Sequence, residues 1–310
     1  MTRASVAHRA HRLEYEARVN RVIDHVYGHL ADELSLPALA RVAAFSPFHF
    51  HRVFTAIAGE TLFAFIQRVR IEYAAAALRD RPGASVLEVA LDHGFASAAT
   101  FARAFRAHFG MSATGWRAGG AERWRARTRR QGKGGKQVRK AGKASSRAAR
   151  HTPRMTVTIR TFPAQHVAYM RYVGPFGPHG IPDLWARFRR WLAARDLHPE
   201  LALGIAHDDP SITPPDRCRY DACAPVPRDF RPDRAVNVTD IAGGAYAVAG
   251  FTGTADDIVA AWEHVFGAWL PQSGFQPDDR PCFELYRGDP TVEPKTRTFR
   301  CELCLPVRPL

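Results

Sequence analysis

The chain has 310 residues, 46% of them hydrophobic, and a formal net charge of +14. That length is long for one domain and comfortable for two packed cores. No stretch approaches about 18 consecutive apolar residues, and the N-terminus alternates Arg, His and Ala without a signal peptide's apolar run. No membrane span is expected, and the cytoplasm is the expected location.

Charge is distributed unevenly. Residues 1–116 carry +3, residues 117–154 carry +13, and residues 155–310 carry −2. Apolar spacing predicts helices near 13–31, 36–43, 47–58, 61–79, 85–93 and 97–108, with a short one near 112–118. Start signals support them: Ser35, Ser46-Pro47, and Ser85 followed by Glu88 as a capping box. Within this stretch a pattern is doubled. Leu39-Ala40-Arg41-Val42-Ala43-Ala44-Phe45-Ser46 is echoed by Val89-Ala90-Leu91-Asp92-His93-Gly94-Phe95-Ala96, and Phe50-x-Arg52-x-Phe54 by Phe101-x-Arg103-x-Phe105. Each copy reads as a helix-turn-helix, whose second helix can enter a DNA major groove. Two copies imply a reader of two adjacent grooves.

The spacing of Ala40, Ser46-Pro47-Phe48-His49-Phe50, Gly59, Arg70-Ile71, Gly94-Phe95, Phe109-Gly110 and Ser112 resembles the AraC/XylS family of bacterial transcription regulators. The match covers roughly residues 15–118, within a reader domain at 13–118. The resemblance implies that Phe48, His51 and Arg52 face the first groove, with His49 beside them. It puts Ala98, Ala99, Ala102 and Arg103 at the second groove. Ser97, Thr100 and Arg106 are expected to help through phosphate contacts. Alanine can touch a thymine methyl but donates no hydrogen bond, so the second site is expected to read bases weakly.

Residues 119–153 read as a basic, disordered linker, with Gly-Lys repeats and little apolar periodicity. Such a tether adds salt-sensitive, sequence-independent DNA affinity.

Beyond it, residues 154–310 contain a second repeat. Asp209-Pro210 recurs as Asp289-Pro290, Cys223-Ala224-Pro225-Val226 as Cys304-Leu305-Pro306-Val307, and Trp185 through Trp191 as Trp262 through Trp269. The offset stays between 77 and 81 residues. Strands are predicted near 164–173, 201–207, 218–224, 244–252, 282–287 and 297–304, with helices near 181–195 and 255–270 and an alternating Val157-x-Ile159 ahead of them. The expected architecture is therefore multidomain: an all-α tandem helix-turn-helix domain, then an α+β domain of duplicated strand-helix-strand-strand units.

Tyr172-Val173-Gly174-Pro175, Asp208-Asp209-Pro210, Arg219-Tyr220-Asp221, Gly243-Gly244, Trp269-Leu270-Pro271 and Glu284-x-Tyr286 make this half resemble the GyrI-like effector-binding domain. The order of domains looks Rob-like. The resemblance implies that Glu284 projects into an aromatic cavity and attracts a lipophilic cation, with Tyr172, Tyr220, Tyr246, Trp185 and Trp269 as candidate walls. Alternation puts Cys282, Glu284 and Tyr286 on one strand face.

The expected partners are double-stranded promoter DNA and a small-molecule effector, with docking onto RNA polymerase as one route for the signal. No enzyme activity or cofactor is expected. Two competing readings are a hydrolase using Glu284 as general base, and a non-specific DNA protein driven by the linker. The five cysteines read as free thiols because their number is odd and the expected location is intracellular, and Cys301 and Cys304 point to opposite faces of a strand, against a CxxC metal or redox role. His166, His179 and His207 lack paired ligand spacing, so no metal site is expected.

Because the second site offers alanines, Arg52→Ala is expected to relax base preference more than Arg103→Ala does. Selection of random duplexes by each variant checks this ranking.

Overall fold

The structure is a computed structural model that describes residues 3–131, 155–177, 180–278, 280–288, 292–293 and 295–310. It divides into two compact units between Gly132 and Lys133.

The first unit is helical: α1 (Arg3–Gly28), α2 (Leu36–Val42), α3 (Pro47–Ala58), α4 (Leu62–Asp80), α5 (Val86–Asp92), α6 (Ala98–Phe109) and a single turn α7 (Ala113–Gly115). A π turn (Trp116–Gly120) leads into α8 (Ala121–Gln131). Two expectations are corrected here. The first helix begins at Arg3 rather than near 13, in an Ala-rich stretch of good helix formers. The basic segment is also helical through Gln131, because Trp124 packs edge-on against Phe109, with ring centroids 5.0 Å apart. The rest of the expected linker lies outside the described residues, as do His179 and Asp289-Pro290.

Hydroxyl caps start the helices as their sequences require. Ser46, Thr61, Ser85, Ser97 and Ser112 each accept from a backbone N–H in the following turn, and Ser85 with Glu88 completes a capping box. Val19, Val22, Ile23 and Val26 of α1 pack with Leu39, Phe50, Phe54, Phe65 and Val69 as one core. The second copy is built on an aromatic ladder, Phe95–Phe101–Phe105–Phe109–Trp116. Trp116 also donates its Nε1–H to the Ala75 carbonyl of α4 at 2.9 Å. Helix α4 therefore serves both cores.

The two turns share one hydrogen-bond pattern. Ala44 N–H bonds Arg41 O and Phe45 N–H bonds Ala40 O, just as Gly94 bonds Leu91 and Phe95 bonds Ala90. Both turns place their central residue in the left-handed region, with φ of 54° at Ala44 and 74° at Gly94. The second turn is crowded. Arg70 reaches across it to donate to Leu30 O, Asp32 O and Gly94 O, at 2.9, 2.8 and 3.0 Å. A Cβ on Gly94 would stand 2.3 Å from Leu30 O and 2.7 Å from the Arg70 guanidinium.

The second unit is an antiparallel sheet, and its described strands run in the order β1-β6-β9-β8-β3-β4-β2-β5. These are β1 (Val157–Phe162), β2 (Gln165–Val173), β3 (Leu201–Ala206), β4 (Arg219–Pro225), β5 (Asn237–Ile241), β6 (Gly244–Gly253), β8 (Phe283–Arg287) and β9 (Phe299–Pro309). A short β7 (Phe275–Pro277) pairs with the end of β9. Helices α9 (Ile181–Ala193) and α10 (Asp257–His264) pack on one face, the second continuing as a π turn to Trp269. The short strands β5 and β7 had no alternating signature in the sequence.

Reading the sheet backwards while exchanging β1 with β5, β2 with β6, β3 with β8 and β4 with β9 returns the same order. The repeat is thus a pseudo-two-fold. Each half is strand, strand, helix, strand, strand, and each lends its first strand to the other half: β1 pairs β6, and β5 pairs β2. The crossing is tight. Gly243, counterpart of Ala164, has no room for a Cβ, which would stand 2.6 Å from Ala164 N.

The two faces of the sheet bury different sets. Ala168, Tyr220, Ala222, Ala247, Leu303 and Leu305 lie under Trp185, Phe188 and Val265 of the helices. Val167, Tyr169, Leu203, Cys223, Tyr246, Phe283 and Cys304 form the opposite core. Cys301 lies with the first set and Cys304 with the second, and all five cysteines are free. No helix among the described residues is long and apolar enough to cross a membrane.

Ala44→Gly is expected to stabilise the first unit by up to about 1 kcal/mol, as relief of left-handed strain outweighs glycine's entropy cost. Gly94→Ala is expected to destabilise it by more than about 3 kcal/mol through the clash with Leu30 O and Arg70. Thermal unfolding of both variants measures the contrast.

Candidate DNA interface and effector site

In the first copy, Phe50 and Phe54 of α3 are buried in the core, and His49, His51 and Arg52 are exposed. Phe48 lies in the first turn of α3; its side chain is outside the described residues. The His49 ring lies 3.0 Å from the capping Ser46 hydroxyl, so it is positioned by the cap. In the second copy, Phe101, Phe105 and Phe109 of α6 face inward, and Ala98, Ala99, Thr100, Ala102, Arg103 and Arg106 are exposed. The Ser97 hydroxyl accepts from Thr100 N–H at 3.2 Å, and Arg103 reaches Thr100 Oγ1 at 3.4 Å. Both recognition helices end at a left-handed glycine, Gly59 and Gly110. Arg117 is drawn away from the recognition surface by Leu78 O and Ala84 O.

The connecting helix also carries a buried ionic cluster. Arg68 bonds Glu60 at 2.8 Å and Glu72 at 3.1 Å, and His108 Nε2 lies 3.8 Å from Glu72. Burial, then Arg68, lowers the His108 pKa, which disfavours a charged pair with Glu72.

In the second unit, Glu284 of β8 is buried on the helix-covered face of the sheet. Its Oε2 accepts from Tyr220 Oη at 2.7 Å and Tyr286 Oη at 2.8 Å, and the Trp262 indole is close enough to favour the ionised form. Burial raises the carboxyl's pKa, and the two phenols and the indole offset only part of that. The phenols are pushed well above their usual value by burial and then by Glu284, so both remain donors.

The register explains why the site exists on this strand pair. Glu284 is the cross-strand partner of Gly204, and the two are also counterparts in the repeat. A Cβ on Gly204 would stand 1.9 Å from Tyr220 Oη and 2.9 Å from Glu284 Oε2. One half therefore supplies the acid, and the other supplies empty space for it.

The expected walls divide into three groups. Tyr220 and Tyr286 touch Glu284, and Trp185 meets the Tyr286 ring edge-on at 5.3 Å. Tyr172 is the cross-strand partner of Tyr220, but its hydroxyl donates to Pro175 O. Trp269 stacks on Phe275 with centroids 6.5 Å apart.

Tyr246 corrects the expectation: it lies on the opposite face, against Phe162 and Phe283, because β6 alternates and Ala247 and Ala249 take the helix side. It lines a shallow apolar groove there, together with Leu203 and Leu285, without a carboxylate. Trp262 was not among the expected walls, although the repeat had paired it with Trp185.

Two other buried clusters serve the frame. Asp208 pairs with Arg219 at 2.9 Å, and Asp221 with Arg171 at 2.6 Å and His207 at 2.7 Å. Burial alone would raise the Asp221 pKa, but Arg171 and His207 hold it far below the usual range. Among the described residues, no group of three or more His, Cys, Asp or Glu side chains could hold a metal ion.

Comparison with known proteins accounts for both units. A helix-turn-helix domain model matches residues 39–119, and a model of the GyrI-like small molecule binding domain matches residues 155–308. The putative transcriptional regulator YosT, derived from the SPbeta prophage of Bacillus subtilis (strain 168), is 30% identical over 159 residues, covering 50% of this chain and all of that protein. The DNA gyrase inhibitor of Escherichia coli (strain K12) is 29% identical over 135 residues, covering 43% of this chain and 85% of that protein. A solved transcriptional regulator with an AraC-type DNA-binding domain, from Chromobacterium violaceum, has a TM-score of 0.33 at 21% identity, covering 34% of this chain and 94% of that one. An AraC-type tandem reader ahead of a GyrI-like small-molecule domain places this chain in the family of DNA-binding transcriptional regulators that sense a small molecule.

Proposed function

We propose that the effector is a lipophilic monocation held by Glu284, and that the DNA site is asymmetric and bipartite. The observation that carries the first part is a buried carboxyl bonded to two phenols, with aromatic rings as its neighbours. An entering cation supplies the positive charge that lets the carboxyl ionise in this apolar setting, and the rings add cation–π contact. Tyr220 and Tyr286 hold the carboxylate in place while the ligand enters. For DNA, His51 and Arg52 carry readout of one groove, while Arg103 and Arg106 mostly position the duplex at the other. A cytoplasmic location fits this role. Turnover of a small molecule dependent on Glu284 would replace the sensing reading with the hydrolase reading.

The reading is tested with the full chain. In-vitro selection of random duplexes is expected to enrich two half-sites about one helical turn apart. Tetraphenylphosphonium is expected to quench tryptophan fluorescence saturably, with affinity that rises with pH as the carboxyl ionises. Equal binding by Glu284→Gln would overturn the cation site.

Glu284 also imposes a pH dependence on stability. The folded state keeps this proton to higher pH than the unfolded chain does. Its contribution is therefore present at low pH and is lost as pH rises from the ordinary carboxylate range through the raised value. Glu284→Gln is expected to flatten that slope and raise the melting temperature above wild type near pH 8 in the absence of ligand. Gly204→Ala is expected to lower stability and abolish ligand binding together. Thermal scans across pH read both effects.

A further inference from the structure

Helix α8 (Ala121–Gln131) lies outside both stretches matched by the family models, 39–119 and 155–308. Its sequence, AERWRARTRRQ, holds five arginines and one glutamate. Eleven residues of that composition form a marginal helix in water, and arginines three and four apart repel one another. What orders it is one residue. The Trp124 indole sits edge-on to Phe109 and 6.4 Å from the Trp116 ring. Phe109 is the last residue of α6, and Trp116 is bonded to α4. Just before α8 the backbone leaves helical angles at Ala118 and Gly119, which turns the chain so that Trp124 meets this pair.

The consequence is that Arg123, Arg125 and Arg127, all exposed, ride on the same packed body as the second recognition helix rather than on a free tether. The like-charge repulsion along α8 would be relieved by a polyanion such as duplex DNA.

We propose that α8 is a third DNA-contacting element, a clamp on backbone phosphates beside the second half-site. It compensates for the missing hydrogen bonds at Ala98 and Ala99 with affinity that carries no sequence preference. This rests on the reading of the first unit as a DNA reader.

The test measures full-chain binding to a random-sequence duplex over a range of salt. It compares wild type, Arg123→Gln/Arg125→Gln/Arg127→Gln, and a tether control, Lys133→Gln/Lys136→Gln/Lys140→Gln. The arginine variant is expected to lose about 2–3 from the slope of log binding constant against log salt, since each phosphate contact contributes about 0.9. The tether control is expected to lose clearly less. Trp124→Ala keeps every arginine but frees the helix; it is expected to weaken binding with the rest of the helical circular dichroism retained. An arginine-variant slope equal to wild type, or a loss no larger than the tether control's, would overturn the clamp. Failure of the wild type to bind any duplex would instead overturn the reader on which it rests.

Discussion

The sensing unit depends on the burial of one carboxyl group where the two halves of its sheet meet. Glu284 faces Gly204 across the central strand pair, and nothing larger than glycine fits beneath Tyr220. Had both halves carried glutamate, two acids would share one apolar space, and at least one would stay protonated. With glycine opposite, a single ionisable group remains, bonded to neutral donors. Such a group is costly to ionise in this apolar setting.

The reading unit solves a different problem, holding two similar motifs at fixed separation. Arg70 does this by collecting the carbonyls of Leu30, Asp32 and Gly94, so that the end of α1 and the second turn are bound to α4 by one side chain. This explains why two turns with the same hydrogen bonds use different residues. Ala44 bears left-handed strain at an exposed position, whereas Gly94 lies directly under the guanidinium. The aromatic ladder of the second copy then extends through Trp116 to Trp124.

Much of this was legible in the chain. Hydroxyl caps and spaced phenylalanines marked the helices because local hydrogen bonds and amphipathic spacing set them. The position of Glu284 on a half-apolar strand, with Tyr286 on the same face, followed from alternation. Tyr246 shows where family likeness misled: its own strand's alternation puts it on the far side from Glu284. Trp262 was missed because only packing from a helix onto the sheet brings it near. The edge strand β5 (Asn-Val-Thr-Asp-Ile) had too few apolar residues to announce itself. Helix α8 was hidden by charge, since a single tryptophan anchors it.

The exchange of first strands between the halves has a consequence for how the sensor folds. Because β1 completes the sheet beside β6 and β5 completes it beside β2, neither half owns a finished edge. A half on its own would leave a long strand unpaired and prone to associate with another chain. The halves are therefore obligate partners, and the unit behaves as a single cooperative foldon whose closing contacts span nearly a hundred residues.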